Sequence, residues 1–215
     1  MSLSFVLGDN LGVAELLGFK QSFSRCLVCR YCGATHQEIN ESVIADRQLN
    51  LFKSINLEEE YASMKNPKYK SGLGLKRSSS LIKTGVSIFK VSPPDVFHDI
   101  AEGILPTICS LVLSYSKIKR GTILRKIEEF PWINGPVVLD SKFELKGKGI
   151  QKFEFFTRLV EMLPEWLDSN ENYSLIYFSF KKIVFLAWGS SATPEDIRDL
   201  EKEISFFMEV YTTFH

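Results

Sequence analysis

The sequence predicts an α/β protein whose second half is mostly helical. Two observations carry that expectation. Short apolar runs of strand length, Leu3 to Leu7 and Val86 to Val91, fall in the first half. From Asp95 onward, apolar residues recur instead at helical spacing, in segments too long for strands.

Leu3-Ser4-Phe5-Val6-Leu7 is short, apolar and closed by Gly8, which reads as a buried strand. Gly12 to Phe19 reads as a short helix. Ser22 to Gly33 holds three of the four cysteines and reads as strand and turn. Glu38 to Ser54 has helical composition, with Ile39, Val43 or Ile44, Leu49 and Phe52 as its apolar stripe. Asn66 to Ser80 is rich in Gly, Ser and Lys and reads as an exposed connector, or as a loop that contacts phosphate. Val86 to Val91 reads as a second strand, broken by Ser92-Pro93-Pro94, after which a helix runs to about Tyr115.

The remaining elements are helices. Thr122 to Phe130 is a short one. Gly149 to Leu167 carries Ile150, Phe153, Phe156, Val160, Leu163 and Leu167 on one stripe. Asn172 to Trp188 is apolar nearly all round, which predicts a place at the centre of a bundle. The last helix is the best marked: Thr193 caps it, Pro194 suits its first turn and Asp196 completes a capping box. Ile197, Leu200, Ile204, Phe207, Tyr211 and Phe214 then form a core stripe.

Composition bounds the function. The chain has 215 residues, 45% hydrophobic, enough for one globular domain or a small domain with an appended bundle. Its 26 basic and 26 acidic residues cancel, so nucleic-acid binding would need a local patch. The first apolar stretch lacks a basic flank, and the longest apolar candidate, Ile104 to Leu113, contains Pro106 and is too short to span a bilayer. A soluble intracellular protein is expected, with no membrane and no small-molecule cofactor. Cysteines in such a chain are reduced thiols or metal ligands rather than a disulfide frame.

Three groups of residues could carry chemistry. Cys26-x2-Cys29-x2-Cys32-x3-His36 offers thiolates at zinc-ligand spacing, with Gly33 freeing the turn. Buried or incidental cysteines are the other reading, and Cys109 lies on an apolar stripe and reads as core. Pro93-Pro94-Asp95-Val96-Phe97-His98-Asp99-Ile100-Ala101-Glu102 places carboxylates and an imidazole at a helix start, where they serve either as an acidic first turn or as ligands. Gly8-Asp9-Asn10 puts a carboxylate at a strand's end, as a metal site or as a plain turn.

Taken in order, these blocks resemble proteins derived from DDE-type cut-and-paste transposons of the CACTA and hAT kind. The matching strings are Phe5-Val6-Leu7-Gly8-Asp9-Asn10-Leu11-Gly12, Leu17-Gly18-Phe19, Ser22-Phe23-Ser24, Cys29-Arg30-Tyr31-Cys32, Leu75-Lys76-Arg77-Ser78 and Pro93 through Gly103. Leu145-Lys146-Gly147-Lys148, Leu163-Pro164 and the final helix extend the likeness over nearly the whole chain.

The resemblance implies a partial RNase H-like core with a Cys-x2-Cys hairpin over residues 1–104, followed by an all-helical insertion region over residues 105–215. It implies Asp9 and Asp95 as the first two catalytic acids, serving Mg2+ ions that activate a hydroxyl nucleophile. It implies a structural Zn2+ on Cys29, Cys32 and His98, which would steady Asp95 three residues from His98. DNA is the implied partner and the nucleus the implied location. In that family a third carboxylate follows the helical insertion, beyond a His-rich stretch that this sequence does not reach. Glu201, Glu203 and Glu209 lie opposite a core stripe and are expected to face solvent. Two functions follow from the resemblance: a catalytically incompetent, zinc-stabilised binding fragment, or a Mg2+-dependent nuclease core completed by an acid from another chain.

Overall fold

A computed structural model of the protein describes residues 6–21, 65–66, 74–167, 171–189 and 191–214. The chain divides into two compact units, Met1–Asp95 and Val96–His215, where the sequence suggested a boundary after residue 104. The described residues are mainly helical, with one two-stranded sheet that lies in the second unit. Residues 3–5 of the expected first strand, the cysteine segment and the helix expected over Glu38 to Ser54 lie outside the described residues.

The first unit is organised by helix α1, Asn10–Leu17. Asp9 starts it by accepting a bond from the Gly12 N–H at 2.6 Å. Gly18 ends it at φ 85°, returning its N–H to the carbonyls of Ala14 and Glu15. A Cβ at Gly18 would also collide with the carbonyl oxygen of Arg77, so no other residue fits there. α1 buries Val13, Ala14 and Leu17 in a cluster with Phe19, Leu75 and Phe89.

The Asn66 to Ser80 segment is not a free connector where it is described. Leu75 is buried and forms an antiparallel bridge with Phe19. Arg77 Nη2 donates to the Glu15 carbonyl at 2.6 Å and pairs with its carboxylate at 3.1 Å. Ser79 Oγ donates to the Leu16 carbonyl. Together they bond the carbonyl end of α1 from outside the helix. Val86 to Val91, expected as a strand, is a turn: the N–H groups of Lys90 and Val91 both bond back to the Ser87 carbonyl. Its Ile88, Phe89 and Val91 are nonetheless core, so burial was readable there and conformation was not.

The second unit begins with a π-helix, Phe97–Ile104, that continues directly into α2, Leu105–Ser114. A single regular helix was expected here. The wide turns immediately precede Pro106, whose ring and missing N–H do not fit a regular α-helical ladder. Phe97–Ser114 is long and apolar enough by composition to cross a membrane, a test that core helices also pass. Leu105, Ile108, Cys109 and Val112 from this stretch are buried in the unit's own core.

α3, Arg120–Glu129, follows. A hairpin comes next: β1, Val138–Leu139, pairs antiparallel with β2, Leu145–Lys146. The sequence reading missed it. Asp140 Oδ1 closes the turn by accepting from the Lys142 and Glu144 N–H groups. α4, Gly149–Met162, stops before Pro164 instead of running to Leu167, because proline cannot continue the ladder.

α5, Glu171–Ala187, and α6, Pro194–Phe214, pair with each other. The capping box predicted for α6 is formed: Thr193 N–H donates to Asp196 Oδ2 at 2.8 Å and Asp196 N–H returns to Thr193 Oγ1 at 3.2 Å. The two core expectations for this pair need correction. α5 is buried on one face only, and Leu175, Phe178 and Phe185 stand exposed on the other. On α6, Phe207 of the predicted stripe is buried, whereas Ile197, Ile204 and Phe214 are exposed. Glu203, expected to face solvent, is mostly covered and pairs with Lys182 at 2.7 Å.

Candidate functional site

Asp9 sits at the surface, at the N-cap of α1. Its backbone is extended, its Oδ1 holds the Gly12 N–H, and its carbonyl accepts from the Val13 N–H. The sequence reading offered a metal ligand or a turn. The geometry adds a helix cap, and the signal for it was present: Asp followed by a short helical segment closed by Gly18. A cap occupies one lone pair of one oxygen, so Asp9 keeps acceptor capacity towards solvent.

Asp95 is half-buried and follows the rigid Ser92-Pro93-Pro94 segment, one residue before the second unit begins. One observation relates the two carboxylate-bearing segments. The Val6 N–H donates to the Val91 carbonyl at 2.8 Å. Asp9 lies three residues beyond one end of that bond and Asp95 four beyond the other. Val6 and Val91 are both buried in the first unit's core, so the link is packed as well as hydrogen-bonded.

His98 occupies the first turn of the π-helix. Its side chain is about two-fifths exposed, with Nε2 4.0 Å from Glu102 Oε2, a charge contact rather than a hydrogen bond. The Phe97 ring lies edge-on to the imidazole at 5.9 Å. π-helical turns are rare and recur at functional positions, which singles out this stretch. Cys29 and Cys32, with Cys26 and His36, lie outside the described residues. Among the described residues no group of three or more His, Cys, Asp or Glu side chains is gathered to hold a metal. Of the implied zinc ligands, His98 alone is described.

Cys109 is core, as expected. It is fully buried, and burial pushes its thiol far above the usual range, which leaves it without the thiolate that metal binding or nucleophilic attack needs. No protein-family model, curated protein or solved structure matches the chain.

Proposed function

We propose that the chain is a domesticated DDE transposase-like protein, catalytically incompetent by itself, whose zinc-stabilised core binds nucleic acid or a protein partner in the nucleus. The supporting observation is the Val6–Val91 bond, which joins the segment leading into Asp9 to the segment leading into Asp95. An acid-pair site needs two sequence-distant carboxylates carried on neighbouring segments, and that bond supplies such a neighbourhood. Two-metal chemistry needs ions about 3.5–4 Å apart held by several carboxylates. The Asp9 carboxylate is engaged as the cap of α1, so binding without cleavage is the reading we favour.

Asp9 has to be tested with its cap role kept apart from any chemistry. Asparagine caps helices about as well as aspartate but is a poor metal ligand, whereas Asp9→Ala should cost roughly 1 kcal/mol of stability. The expected result is no nicking of supercoiled DNA in Mg2+ or Mn2+, and DNA binding by Asp9→Asn equal to that of the wild type. Metal-dependent nicking that Asp9→Asn abolishes would overturn the proposal in favour of a nuclease core completed by another chain.

A further inference from the structure

The sequence of α5 is apolar nearly all round, a composition that suits the centre of a bundle. In the second unit the helix is covered on one side, where Tyr173, Ile176, Tyr177, Phe180, Ile183 and Val184 are buried. On the opposite side Leu175, Phe178 and Phe185 remain 43%, 44% and 58% exposed. With Lys182 they recur at steps of three, four and three residues, the spacing of a seam along which one helix packs on another.

Lys182 sits in the middle of this seam. Its Nζ is 2.7 Å from Glu203 Oε2 of α6, and Glu203 is mostly covered, so the charge is already answered within the chain. The Lys182 side chain is itself well exposed. Its methylene stem can lie on a neighbouring ring while the ammonium keeps its glutamate.

This pattern of charge selects the occupant. Two copies of the seam packed in parallel would set Lys182 beside Lys182. Packed antiparallel about a two-fold axis, the same seam is complementary to itself. Leu175 of each copy would then meet Phe185 of the other, and Phe178 of each would meet Lys182 of the other. No layer opposes two like charges, and each lysine lies against an aromatic face, which attracts a cation. A lipid surface would want an excess of basic residues beside the apolar stripe. Here the seam's lysine is paired and the helix opens with Glu171.

We propose that the exposed face of α5 is a homodimer interface, formed by antiparallel packing of α5 on the α5 of a second copy. The rings set its strength. A phenylalanine buries roughly 200 Å2 when fully covered, so Phe178 and Phe185 leave about 200 Å2 per copy to bury, and Leu175 adds to it. Two such patches with their polar rims fall in the size class below about 1,200 Å2, that of reversible rather than permanent pairs. The dimer is therefore in exchange with the monomer, with a dissociation constant of about 10–100 µM.

Sedimentation velocity of the full chain from about 1 to about 300 µM reads this equilibrium, and the wild-type result stands without any variant. Leu175→Glu and Phe185→Lys should each weaken dimerisation at least tenfold, because each sets a bare charge against an apolar side chain. The two positions lie about 15 Å apart along one helix, out of reach of each other within a chain, but opposite each other across the two-fold axis. The double variant should therefore dimerise more tightly than either single variant, through two new ion pairs, and lose that gain in about 1 M sodium chloride. Circular dichroism checks that the variants fold. A wild type that stays monomeric at every concentration, which would leave the face to a different partner, would overturn the proposal. So would single variants that dimerise like the wild type, or a double variant no tighter than the single ones.

Discussion

Glu154→Ala should lower the stability of the second unit by about 3 kcal/mol, the cost typical of removing a buried, multiply bonded charge. Glu154 is buried on α4 and holds the Pro131 to Pro136 loop from inside. Oε1 accepts from the Ile133 N–H at 2.7 Å, and Oε2 accepts from the Asn134 N–H and Asn134 Nδ2, both at 2.9 Å. Gln151 adds a bond from Nε2 to the Asn134 carbonyl at 3.0 Å. Removing the carboxylate leaves two backbone donors of the loop without partners. Glu154→Gln should fall between wild type and Glu154→Ala, because an amide supplies only one accepting oxygen.

The same carboxylate gives the unit an acid-sensitive contribution. Burial by itself raises its pKa, but the bonds from Ile133 and Asn134 and the nearby Arg158 outweigh burial and hold it below its ordinary value of 4.5. A group with a lowered folded-state pKa stabilises fully above its unfolded value and loses that contribution as pH falls through the folded one. Urea unfolding of the wild type should therefore weaken progressively below about pH 4.5. Glu154→Gln should show a smaller loss over that window.

Phe156→Ala should cost more, about 4 kcal/mol, because it empties the centre of a chain of rings. Phe156 is fully buried. Its ring lies 5.0 Å from Tyr177 and 5.6 Å from Phe180. Tyr177 continues to Trp166 at 5.2 Å, and Phe180 continues to Phe207 of α6 at 5.3 Å. The Tyr177 hydroxyl also donates to the Phe156 carbonyl at 2.7 Å, and Lys181 Nζ donates to the Thr157 carbonyl at 2.8 Å, so α4 and α5 are joined by polar as well as apolar contact. Phe156→Leu keeps most of the volume and should cost under half as much. Chemical denaturation with tryptophan fluorescence, reporting on buried Trp166, measures both.

Legibility from sequence followed a physical divide. Helices with their own caps and long periodic stripes were readable: Thr193 and Asp196 fixed the start of α6, and the Gly149 stripe located α4. Elements decided by tertiary partners were not. Val86 to Val91 has strand composition, but its residues close a turn on Ser87 because their apolar side chains are wanted in α1's core. Val138-Leu139 and Leu145-Lys146 are too short to give a periodic signal, and only the Asp140 turn betrays the hairpin. The α6 stripe showed which residues are apolar but not how many the neighbouring helix would cover. For the candidate site, Asp9 was singled out as a carboxylate at a turn, while its use as a helix cap required seeing Gly12 bonded to it. The zinc ligands proposed for the cysteine hairpin rest on the ordered blocks of the sequence.

The zinc content of the purified full chain tests the central claim most directly. By mass spectrometry of metals, about one tightly held zinc per chain is predicted for the wild type, as for a structural site, with loss of it in Cys29→Ser, in Cys32→Ser and in His98→Ala. A wild-type protein that folds without zinc, or a His98→Ala protein that keeps its zinc in full, would contradict the account.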